Sequence, residues 1–147
     1  MASVIAVCRS DKKGIRKVDI KKGTLKEGFG LIGDAHADSG WHRQVSLLAL
    51  ESIEIMRKEG YDVKPGDFAE NITCEGIVLN TLPIGTLLNI GQDVVLEISQ
   101  IGKECHTGCA IFKQAGKCIM PKEGVFAKVI KGGEVAAGDY IKVHNKE

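Results

Sequence analysis

From Leu82 onward the chain is a succession of short apolar runs, each cut off by a glycine turn. Thr86 to Ile90, Val94 to Ser99, Phe126 to Ile130 and Tyr140 to Val143 are β-branched or leucine-rich. Several short strands at such spacing predict a closed or nearly closed β-barrel. The 18 glycines point the same way, toward many turns rather than long helices. Earlier in the chain, Ser3 to Cys8 reads as an opening strand, and the charged stretch from Arg9 to Gly14 turns it. Lys17-Val18-Asp19-Ile20-Lys21 alternates polar and apolar residues, as expected of a strand with one wet face. The stretch from Gly132 to Asp139 is turn-rich and is expected to join the last two strands.

One helix interrupts this pattern. Ser46 is a good N-cap, and the helix is expected from Leu47 to Glu59, where Gly60 stops it. Ala49, Ile53 and Met56 share one face, flanked by Leu50, while Glu51, Glu54 and Lys58 face water. Glu54 and Lys58 form a favourable i, i+4 pair. Such a helix reads as a cover packed on a sheet. Pro65-Gly66-Asp67 is a turn signal. No repeat, low-complexity tract or linker divides the chain, and 147 residues suit one domain spanning 1–147. The expected class is mostly β (α+β), a closed or nearly closed mixed β-barrel with a few peripheral helices.

A formal net charge of +1 provides no global field for nucleic acid or an anionic membrane. A small anionic ligand needs only a local cluster. The N-terminus lacks the basic-then-apolar pattern of a signal peptide, and no apolar stretch approaches membrane-spanning length, so a cytoplasmic location is expected. The five cysteines, Cys8, Cys74, Cys105, Cys109 and Cys118, are an odd number. Without a secretion signal, that argues for free thiols, metal ligands or a nucleophile rather than a disulfide framework.

Chemistry concentrates in Glu104-Cys105-His106-Thr107-Gly108-Cys109, with Cys118 beyond. A short helix over Cys109 to Ala115 would set the thiols of Cys105 and Cys109 near its N-terminus, where backbone N–H groups, Lys103 and His106 favour thiolate. A thiolate suits a sulfur carrier or a soft-metal ligand, and Cys105, Cys109 and Cys118 are the candidate ligands. Zinc is a further possibility, although the spacing lacks two C-x2-C-like knuckles. Inert packing in a core is the bland alternative, and for Cys8 and Cys74 it is the preferred one.

A second constellation runs from Gly33 to Asp38, with Trp41-His42-Arg43-Gln44 behind it. Asp34, His36 and Asp38 alternate, so on an extended strand they would share one face and could ligate metal. In the alternative, which carries more weight, they belong to a polar loop whose aspartates make turns. His42 and Arg43 are better placed as anion contacts, since a guanidinium pairs with phosphate through two parallel bonds. Gly28, Gly30 and Gly33 have G-x-G-x-x-G spacing but not the strand–helix context of a dinucleotide site. His144 reads as a surface residue. Glu70-Asn71 after the Pro65 turn can hold a loop together.

Together these segments resemble the MOSC family, named for the C-terminal domain of molybdenum cofactor sulfurase. The likeness rests on Gly30 to Ala37, His42 to Leu48, Pro65 to Ile72, Leu82 to Gly91, the Cys105 segment and the closing Gly133 to Asp139, all in the family's order. The resemblance implies a barrel of mixed connectivity, of the pyruvate-kinase-like type. It implies a molybdenum-pterin cofactor, with sulfur taken from a pyridoxal-phosphate-dependent cysteine desulfurase and passed to a molybdoenzyme or cofactor-biosynthesis protein. Pyridoxal phosphate would then enter only through that partner. Cys105 aligns with the family's characteristic cysteine, and Cys109 and Cys118 beside it depart from the usual pattern. On this reading Cys105 carries a persulfide or binds molybdenum, Cys109 and Cys118 assist, His36, His42 and Arg43 contact the pterin phosphate, and Asn71 is a further cofactor-binding residue. The alternatives are a non-catalytic cofactor-storage module and a molybdenum-dependent reductase of N-hydroxylated compounds.

Overall fold

The computed structural model describes residues 2–12, 15–102 and 124–144. Its strands are β1 (Ser3–Arg9), β2 (Val18–Asp19), β3 (Lys22–Lys26), β4 (Gly30–Leu31), β5 (Val45–Ala49), β6 (Ile72–Glu75), β7 (Leu87–Ile90), β8 (Val94–Ile101), β9 (Val125–Lys131), β10 (Gly133–Ala136) and β11 (Ile141–His144). Eight form one sheet in the order β11-β7-β8-β9-β5-β6-β1-β2. Its ends approach each other: Val4 N–H donates to Asp139 O at 2.8 Å and Ile141 N–H to Ala2 O at 2.9 Å, with a bridge between Ser3 and Tyr140. The sheet is thereby curled into the nearly closed barrel expected from the short glycine-bounded runs, which appear as β7, β8, β9 and β11.

Alternate residues of these strands fill the interior. Val4, Val7, Val45, Leu47, Ile72, Leu88, Ile90, Leu96, Ile98, Val125 and Ala127 belong to one buried cluster. A second sheet, β10-β3-β4, adds Leu25, Leu31 and Val135 to it. The stretch from Gly132 to Asp139 is therefore not turn throughout, because Gly133–Ala136 pairs in register with Lys22–Leu25.

The expected helix is divided. Val45–Ala49 is strand, paired in parallel with β6 and antiparallel with β9, and helix α1 runs only over Leu50–Lys58. Ser46 is thus no N-cap; Ala49 takes that place without a side-chain cap. The misreading has a physical cause. All five residues of β5 are buried, since the barrel interior takes Val45, Leu47 and Ala49 while Leu48 packs outward with Ile53 and Met56 of α1, Phe68 and Phe126. A strand covered on both faces carries an unbroken apolar run, which periodicity cannot separate from a helix. The expected helix face is otherwise correct: Ile53 and Met56 are buried, and Glu51, Glu54 and Lys58 are exposed. Among the described residues α1 is the one α-helix, joined by a single 3-10 turn at Leu79–Thr81.

The strand expected over Lys17–Lys21 shrinks to β2 and is inverted. Val18 is 68% exposed and Lys17 only 3%, because the Lys17 ammonium is drawn inward to a buried carboxylate.

Candidate functional site

Two polar clusters flank β5. The first begins at the turn expected from Pro65-Gly66-Asp67. Gly66 has φ +92°, and a Cβ there would collide with the Lys17 carbonyl, so only glycine lets the two segments meet. Lys17 N–H donates to Gly66 O at 2.8 Å, and the Lys17 side chain enters the protein. Its Nζ lies 2.6 Å from Asp34 Oδ1, 3.2 Å from Ser10 Oγ and 2.9 Å from His36 Nδ1, with the Lys17 and Asp34 side chains both fully buried. A charged ammonium has only hydrogens to offer, so His36 Nδ1 accepts and the ring proton sits on Nε2. Asp34 also accepts from Ser10 N–H and His36 N–H. Burial alone would raise the Asp34 carboxyl, but the Lys17 hydrogen bond and charge override it and hold Asp34 below the usual carboxylate range. Burial lowers the Lys17 amine against the opposing pull of Asp34.

This arrangement decides the alternating Asp34, His36 and Asp38. The segment is a succession of turns, with Asp34 turned inward and Asp38 accepting from Gly40 N–H at 2.8 Å. The loop reading holds, and no group of three potential metal ligands occurs among the described residues.

Asn71 and Glu70, on the same flank, are fully buried. Asn71 Oδ1 accepts from the backbone N–H of Ser46 at 3.0 Å and from its hydroxyl at 3.2 Å, while Nδ2 donates to Cys8 O at 3.1 Å. The side chain therefore stitches β1, β5 and the entry to β6 together. Glu70 accepts from Phe68 N–H at 3.2 Å and from the Thr73 hydroxyl at 2.7 Å, and its burial raises the carboxyl above the ordinary range. Cys8 and Cys74 are buried thiols pushed up by desolvation, Cys74 to about 12, so neither supplies thiolate at neutral pH.

The second cluster lies on the β9 side. Trp41, His42 and Arg43 lead into β5 and meet the end of β8. His42 Nε2 is 2.6 Å from Gln100 Oε1, and Arg43 Nε donates to the same oxygen at 2.9 Å. The Arg43 guanidinium lies over the rings of Trp41, 4.5 Å from its centroid, and of Phe126, 5.1 Å away. Ser99 Oγ donates to His42 O at 2.6 Å, fixing the backbone beneath the pair. Trp41 is 45% exposed, and His42 and Arg43 are half-buried, so the cluster opens to solvent. Among the described residues no carboxylate lies within ion-pair distance of Arg43.

The described residues that bracket the cysteine segment in sequence, Gly102 and Gly124, meet beyond Gln100. Gly102 N–H donates to Gly124 O at 2.7 Å, and Gln100 Nε2 donates to Gly102 O at 2.8 Å. Cys105, Cys109 and Cys118, with the expected helix over Cys109 to Ala115, fall outside the described residues. The structure thus brings His42 and Arg43 together and places His36 and Asn71 in the buried clusters of the opposite flank. Gln100 was missed, since a lone glutamine in a strand belongs to no motif. His144 is exposed, as expected of a surface residue. No helix among the described residues is long and apolar enough to cross a membrane.

A curled mixed barrel with one parallel strand pair spanned by a helix defines the fold class of the protein. A model of the MOSC domain matches residues 34–142, and the chain belongs to the MOSC domain family, which is linked to molybdenum cofactor-related functions. Among solved structures the chain is similar to the YuaD protein from Bacillus subtilis, with a TM-score of 0.80 and 20% identity over 100% of this chain and 98% of that one. It is also similar to YiiM from Geobacillus stearothermophilus, with TM-score 0.73, 14% identity and coverage of 99% and 76%. For YiiM from Escherichia coli the values are 0.68, 18%, and 99% and 71%. At these identities the likeness is one of fold. No curated protein matches the chain.

Proposed function

We propose that this MOSC domain holds the molybdenum cofactor by its phosphate at His42 and Arg43 and handles sulfur for it at Cys105. The observation that carries the reading is the convergence of an arginine and a histidine on Gln100, without a neutralising carboxylate among the described residues, two positions before Gly102. In the sequence, Cys105 follows Gly102 by three residues. The donor set fits a phosphate: Arg43 keeps both terminal nitrogens beyond its Gln100 bond, the geometry that pairs with two oxygens at once. What the cofactor supplies is a soft, redox-active metal that accepts sulfur ligands. What the chain supplies is an anchored anion site and a thiol.

In the sulfur step, the Cys105 thiolate attacks the terminal sulfur of a desulfurase persulfide. A new S–S bond forms on Cys105, the donor's S–S bond breaks, and the donor cysteine leaves as thiolate. No external oxidant or reductant is consumed. The partners on this reading are a cysteine desulfurase and a molybdoenzyme or cofactor-biosynthesis protein.

The test is intact-mass analysis after incubation with a cysteine desulfurase and cysteine, with metal determined on the same sample. A gain of one sulfur atom, removed by reductant and absent from Cys105→Ser, is expected. Normal loading of Cys105→Ser would move the role to Cys109. No loading together with stoichiometric molybdenum would favour cofactor storage or reduction of N-hydroxylated compounds, and stoichiometric zinc would make the cysteines a metal site.

A further inference from the structure

We infer that Gln100 is a positioning residue that fixes the proton of His42 and the orientation of Arg43, making the two side chains a preformed oxyanion receptor. The inference rests on the anion-binding reading above and adds a residue that neither motif nor family match supplies.

The amide orientation follows from its partners. Arg43 Nε is a donor under all conditions, so the Gln100 atom 2.9 Å from it is the carbonyl oxygen. The amide nitrogen then faces Gly102 O at 2.8 Å, which can only accept. Both ends of the amide agree, and a flipped Gln100 would oppose donor to donor and acceptor to acceptor. With the oxygen so placed, His42 Nε2, 2.6 Å from it, must carry a hydrogen. Nδ1 is then the nitrogen left for a ligand, and it donates to an oxyanion in the form in which it too carries a hydrogen.

The same bond sets Arg43. With Nε tied to Gln100 and the guanidinium carbon over the rings of Trp41 and Phe126, the swing of the fork is restricted. The terminal nitrogens are then presented at a fixed angle. The orienting group is also neutral. A carboxylate at position 100 would hold the same two donors but offset the positive charge of Arg43 that the ligand needs, so glutamine supplies geometry without that cost. Gln100 is half-buried and opposite Phe126 in the β8–β9 register, a position where an apolar residue of similar size is compatible with the fold.

The experiment uses the full chain and inorganic phosphate as probe, with side-chain nitrogen NMR of Arg43 and His42 in the wild type, Gln100→Leu and Gln100→Glu. In the wild type, slowly exchanging Arg43 Nε–H and His42 Nε2–H signals are expected, with both residues shifting on phosphate addition. Gln100→Leu is expected to lose the slowly exchanging Arg43 Nε–H and His42 Nε2–H signals and to weaken phosphate binding about tenfold. Gln100→Glu is expected to keep the Arg43 signal while binding phosphate more weakly, because it restores geometry but not charge. Wild-type affinity and an unchanged Arg43 signal in Gln100→Leu would overturn the inference and leave the anion site standing. Absence of any phosphate response in the wild type, with the Arg43 and His42 signals still dependent on Gln100, would overturn the anion reading and leave the positioning intact.

Discussion

The clusters on the two flanks of β5 each join a histidine to a cation, yet they handle charge in opposite ways. At Lys17 the cation is fully buried and meets a fully buried carboxylate at 2.6 Å, so the field of each is spent on the other. At Arg43 the cation meets the uncharged oxygen of Gln100 and two aromatic rings, which orient it and leave its charge in place. A neutralised pair locks structure, whereas a cation held by neutral groups is available to something else. The difference lies in the partner's charge, since both clusters hold their cation through short hydrogen bonds.

The largest effect should come from breaking the closed pair. Lys17→Met strands the Asp34 carboxylate in the interior, and a loss of about 3–5 kcal/mol of unfolding free energy in urea titration is expected. A loss near zero would erase the distinction between the flanks. Next comes the pH dependence of the buried flank, where two carboxyls act with opposite sign. The depressed Asp34 contributes stability that is complete above the unfolded aspartate value near 4 and is lost as pH falls through its own lower value. The raised Glu70 binds its proton more tightly in the folded state, so it erodes stability as pH rises from the unfolded glutamate value through its own. Glu70→Gln should therefore gain on the wild type as pH rises, by on the order of 1 kcal/mol, read from urea midpoints across pH. The smallest stability effect belongs to the open flank. Arg43→Gln should change unfolding free energy by about 1 kcal/mol or less, the worth of a partly exposed cation–π contact, while abolishing the phosphate response in a titration. A large destabilisation would place Arg43 with the structural cations.

Legibility in the sequence follows the same physics. The strands after Leu82 were readable because glycine turns bound them and one face of each is wet. Val45–Ala49 was not, because cover on both faces removes the alternation that marks a strand. Gly133–Ala136 hid among turn residues, and only its pairing with β3 makes it a strand. Lys17 and Val18 exchanged their expected sides because a long-range partner, Asp34, outweighed local alternation. Residue type singles out His42 and Arg43 as candidate anion contacts, whereas Gln100 becomes a candidate only when β8 folds against the approach to β5 and meets both. The cysteine cluster is legible as a cluster, and its ligand or carrier role rests on the tests above.

The seam that closes the sheet has a consequence for how the protein reaches this state. It pairs residues 2–4 with 138–141, the most distant partners among the described residues. Bringing such partners together carries the highest loop-closure cost among the described contacts, so it becomes favourable only after intervening contacts have shortened the effective loop. Hairpins such as β7–β8 can form locally and early. The clasp at Val4 and Ile141 is expected to wait for them, which makes closure of the barrel a late event in folding.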